Sequence, residues 1–85
     1  MEKTLDVRDL APPEPLERIL DALADLPPGH WLKVQHSREP FPLYDLLKGM
    51  GYLWDTQHQG RNRYEIYVWP EVQSPPPAVS DPAAN

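Results

Sequence analysis

Three histidines, eight Lys or Arg and no cysteine are the side chains from which any chemistry of this chain must be assembled. The missing cysteine removes disulfides, thiolate metal sites, persulfide carriage and thiol nucleophiles together. His36 offers the most. It closes an alternating stretch from His30, and Ser37-Arg38-Glu39-Pro40 then leads into Phe41-Pro42, a helix start. An imidazole at such a junction can meet an anion held by helix N–H groups, or ligate a metal. The plainer reading is a histidine satisfied by a backbone carbonyl. His58 is a weaker second metal candidate, since two histidines lack the third ligand that zinc or iron sites use. Arg8 and Arg38 join His36 as candidate ligand contacts, with anions the expected ligands. Arg8 follows the first strand at its carboxyl end, the crevice side of such sheets; an ordinary ion-pair network is the competing account. No Ser/His/Asp spacing, paired-carboxylate motif or phosphate loop occurs. No catalytic residue is therefore assigned, and neither enzymatic activity nor a cofactor is expected.

The elements that must position these groups are well punctuated. Lys3 to Val7 alternates, with Leu5 and Val7 on one face, and reads as a strand. Pro12 and Pro13 force a turn, and Pro15 suits the first turn of the next helix. Leu16, Ile19, Leu20 and Leu23 form its buried stripe, and Pro27-Pro28-Gly29 ends it. His30 to His36 is the second strand. Leu43, Leu46, Leu47 and Met50 predict the inward face of a second helix, stopped by Gly49 and Gly51. Tyr52 to His58 and Arg63 to Trp69 are strands of a hairpin about Gln59-Gly60-Arg61-Asn62.

The order β-α-β-α-β-β implies an α+β, two-layer sandwich over residues 1–70, with both helices on one face of a four-stranded mixed sheet. The expected core is Leu5, Val7, Leu16, Ile19, Leu20, Leu23, Leu32, Val34, Leu43, Leu46, Leu47, Ile66 and Val68. The opposite face is then left open. Trp31, Lys33, Arg63, Tyr67 and Trp69 fall on it by parity, so three large aromatics are expected to form a contact surface for a protein partner or a weak homodimer. Cover by the tail is the alternative. Residues 71–85 are proline-rich and aperiodic, and read as a disordered tail.

A formal charge of −5 argues against nucleic acid, whose binders depend on basic side chains. The sign is uneven. Residues 1–30 carry three basic and seven acidic side chains, against five and three over 31–64. No apolar run approaches the ~20 residues that span a bilayer. No membrane association is expected, and a cytoplasmic location is the default.

LDVRDLAPPEP resembles the opening of the TusA/SirA-like sulfur carriers, whose pattern runs Leu-Asp, a glycine-leucine pair and Cys-Pro-x-Pro. Leu5-Asp6, Leu10, Pro13-Glu14-Pro15 and, further on, Pro28-Gly29 match it. The sulfur-bearing cysteine falls on Pro12, and Asp9 stands at the glycine. The chain is more similar to a cysteine-less, uncharacterised branch with an L-D-V-R-x-L start and an H-x-x-x-P-x-P-L segment. Here these are Leu5 to Leu10 and His36 to Leu43. The resemblance implies the same β-α-β-α-β-β fold and no sulfur chemistry. A small binding or assembly module is the resulting expectation, with a metal- or redox-linked accessory domain on His36 as the alternative and sulfur transfer last.

Overall fold

Alternation at the start of the chain produces β1 (Glu2–Asp6) in the computed structural model, which describes residues 1–79. Pairing outlasts the strand, since the Val7 N–H donates to the Gln35 carbonyl at 3.0 Å. The proline elbow follows, and α1 (Glu14–Ala24) begins with Pro15 in its first turn, where the absent N–H has no partner to lose. Gly29, at φ +82°, turns the chain into β2 (Trp31–His36). The next helix, α2 (Phe41–Met50), stops at Gly51, whose left-handed backbone returns its N–H to the Leu47 carbonyl. The strands β3 (Tyr52–Gly60) and β4 (Arg63–Pro70) are joined by Arg61-Asn62.

The sheet order is β1-β2-β4-β3, with β1 parallel to β2 and the other pairs antiparallel. The crossover through α2 therefore carries the chain past one vacant position, and the hairpin returns β4 to fill it. Both helices pack on one face, the expected two-layer α+β sandwich. Val7, Ile19, Leu23, Leu32, Val34, Leu43, Leu47, Ile66 and Val68 form its core. Leu5, Leu16 and Leu20 are only partly buried against it.

Leu46 departs from expectation. It is 42% exposed and Met50 49%, whereas Leu43 and Leu47 are sealed. Tyr44 is the reason. Its ring stacks on Trp54 with centroids 5.1 Å apart, so α2 meets the sheet along 43, 44 and 47 and rotates Leu46 outward.

The second sheet face also differs. Tyr67 is 5% and Trp69 1% exposed, so the expected open aromatic surface is covered. Residues 71–79 form no helix or strand, yet Val79 packs with Tyr67 and Trp69, Trp31 borders the cluster, and Pro76 is fully buried. The Gln73 amide donates to the His30 carbonyl at 3.1 Å and the Gln57 amide to the Ala78 carbonyl at 3.2 Å. An aperiodic sequence reads as disordered because it cannot repeat a contact. A few prolines need only one: each fixes its own φ and asks for no ladder partner. Residues 80–85, the rest of the expected tail, lie outside the described residues.

Candidate functional site

The two proline elbows are brought side by side because β1 and β2 are parallel neighbours, so both chain reversals leave the sheet at the same end. Between them lies a cleft of about 290 Å³. The first elbow contributes Pro12 and Pro13, and α1 adds Pro15, Leu16 and Ile19. The second elbow supplies Arg38, Glu39 and Pro40, with Pro42 and Leu43 from α2. His36, the last residue of β2, completes the lining and is itself only 5% exposed. Five of these eleven residues are proline, so the walls are stiff and offer few N–H groups.

The chemistry of His36 follows from its surroundings. Burial pushes its pKa below the ordinary 6.5, and the Arg38 charge pushes it the same way, so the ring is neutral at pH 7. Its Nδ1 accepts the Arg38 backbone N–H at 3.3 Å, which leaves the proton on Nε2. Among the described residues Nε2 has no hydrogen-bond partner, and it is not sealed from solvent. It is thus a neutral donor opening into an apolar cleft.

Arg38 and Glu39 give the cleft its charge. Arg38 is exposed and makes no ion pair among the described residues. Glu39 is drawn the other way: its carboxylate accepts the Tyr44 hydroxyl at 3.1 Å. The Tyr44 oxygen also meets the Thr56 hydroxyl, which donates to it because Tyr44 has a single proton to give. Burial is the main reason that the Tyr44 phenol is pushed up to about 12. The phenol therefore stays a donor and keeps Glu39 turned from Arg38.

The other candidates do not converge on this cleft. Arg8 is paired with Asp6 at 2.7 Å, and that guanidinium holds the Asp6 carboxyl down to about 2. Arg8 lines a separate depression of about 40 Å³ with Gln35 and Arg63. His58 is exposed and lies flat on Tyr64, ring centroids 4.4 Å apart. Tyr64 occupies the register position between His36 and His58, so the two imidazoles do not share a metal site. Among the described residues, no group of three His, Cys, Asp or Glu is placed to hold a metal ion. On the covered face Lys33 pairs with Glu65 at 3.4 Å, and the Trp31 indole donates to Glu2 at 3.1 Å.

Leu16, Ile19 and Leu43 were expected only as core, but each also walls the cleft. The signal for this was the crowding of prolines at both elbows, which marks two rigid turns without saying that they face one another.

Fold and cleft together define a small two-layer α+β domain with one proline-walled recess at the carboxyl end of its parallel strand pair. The chain belongs to the family described as Uncharacterized conserved protein (DUF2249), whose model matches residues 4–70. No curated protein and no solved structure matches it. No helix among the described residues is long and apolar enough to cross a membrane.

Proposed function

We propose that this chain is a non-catalytic binding module whose site is the cleft over His36. The observation that carries the reading is a single neutral donor, His36 Nε2–H, at a recess lined mainly by proline and aliphatic carbon, with Glu39 and Arg38 at its edge and Arg38 in no ion pair among the described residues. Such a site suits a small, mainly apolar molecule ending in a hydrogen-bond acceptor, a carboxylate above all. An anion without an apolar part, such as phosphate, leaves the walls unused. A metal-linked role for His36 needs further ligands from beyond the described residues. The Leu5-Asp6, Leu10 and Pro13-Glu14-Pro15 pattern supports placing the domain beside the TusA/SirA-like carriers as a branch without their sulfur chemistry. Pro12, at the cysteine position of that pattern, is here part of the cleft wall.

Hexanoate, phosphate and zinc are the probes, followed through the His36 imidazole and the Leu16 and Leu43 methyl resonances. Millimolar hexanoate is expected to move all three sets, while phosphate leaves the methyls still, and His36→Leu abolishes the response. Hexanoate without effect on His36, or zinc as the sole probe that moves it, refutes this reading.

A further inference from the structure

The covered sheet face shows which chemistry it accepts, because the chain's own segment is seated on it. Pro75-Pro76-Pro77 has no backbone N–H, so it cannot extend a strand ladder. It is held instead by rings and by carbonyl acceptance. Pro76 is fully buried, Val79 packs with Tyr67 and Trp69, and the Gln57 amide donates to the Ala78 carbonyl. The segment turns on this face and does not run extended, since the Val79 N–H returns to the Pro76 carbonyl at 3.0 Å. Its proline φ angles are pre-set, which lowers the cost of ordering it against flat aromatic faces. One donor is left over. The Trp69 indole N–H is sealed on this face with no acceptor among the described residues.

We infer that the face formed by Trp31, Tyr67, Trp69 and Gln57 is a docking site for a proline-rich turn segment of another protein, and that residues 75–79 occupy it in cis as a cover. The cover is tethered a few residues beyond Pro70, where Gln73 N–H returns to the Pro70 carbonyl, so its local concentration is high. It leaves the Trp69 indole without an acceptor among the described residues. A partner segment that brings a carbonyl to the Trp69 indole makes a hydrogen bond that the cis segment lacks, and this gives the partner its advantage. The site lies on the sheet face opposite the helices and is independent of the His36 cleft.

The test uses the full chain carrying Pro76→Gly and Val79→Asp, which removes both buried cover contacts. The probes are a synthetic peptide of residues 73–79 and the same peptide with its prolines replaced by alanine. The proline peptide is expected to shift the Trp69 indole resonance and to bind the released chain roughly tenfold or more tighter than wild type, which must first shed its tethered cover. The alanine peptide is expected not to bind. If the double variant does not fold, Val79→Ser, which leaves Pro76 in place, is titrated in the same way. A folded, released chain that ignores the proline peptide, or takes both peptides equally, overturns the inference. Wild-type chain that sediments as a concentration-dependent dimer through exchanged tails also overturns it, since the face would then serve a second copy.

Discussion

Leu46 and Leu47 are adjacent, chemically identical and in the same helix, so truncating each to alanine isolates the effect of which way α2 faces. Leu47 is fully buried against Leu43 and the sheet, whereas Leu46 is 42% exposed. Removing three carbons from a sealed site loses their transfer free energy and leaves a cavity, which together cost about 2–5 kcal/mol. Leu46 leaves no enclosed cavity. It loses only the buried part of its contact, about 1 kcal/mol, and alanine's higher helix propensity offsets a few tenths of that. The expected difference is about 2 kcal/mol, roughly thirtyfold in the unfolding equilibrium. Equilibrium urea unfolding at pH 7, read by tryptophan fluorescence, measures it, with an unchanged denaturant slope showing that only stability has moved. Equal losses for Leu46→Ala and Leu47→Ala would refute the Tyr44-directed rotation of the helix.

Two further outcomes follow from titratable groups. Because burial lowers the folded-state pKa of His36, the unfolded chain binds its proton more readily; the related stability is complete above pH 6.5 and is lost as pH falls toward the folded value. Urea midpoints between pH 8 and pH 5 are therefore expected to decline in wild type, and to decline less in His36→Leu; parallel profiles would contradict the assignment. Tyr44→Phe removes the hydroxyl shared with Glu39 and Thr56 and is expected to cost about 1–2 kcal/mol at pH 7. In wild type the phenol's raised pKa also predicts stability lost as pH climbs from 10 through about 12, a decline that Tyr44→Phe lessens and that pH-dependent thermal unfolding would show.

Sequence alone determined the elements, because each is written in residues that permit little else. Alternation at 3–7 and 30–36, the leucine spacing of the helices, the proline elbows and the glycine stops are local instructions, and their order restricts the chain to a two-layer sandwich. It also excluded thiol chemistry outright, and it picked His36 and Arg38 as residues of interest. Tertiary structure decided what those residues face. Strand order is a long-range matter, and only the parallel neighbours β1 and β2 bring Pro12 and Pro13 opposite Pro40 and Pro42 to make a cleft. Periodicity could not separate Leu46 from Leu47, since both fit an apolar stripe and the choice lay with the stacking of Tyr44 on Trp54. Parity placed Tyr67 and Trp69 on the second face and left an open contact surface and cover by the tail as alternatives; the packing of Val79 on both rings decided for the tail. An aperiodic proline segment carries no pattern of its own, and its place is set by the aromatic surface it meets.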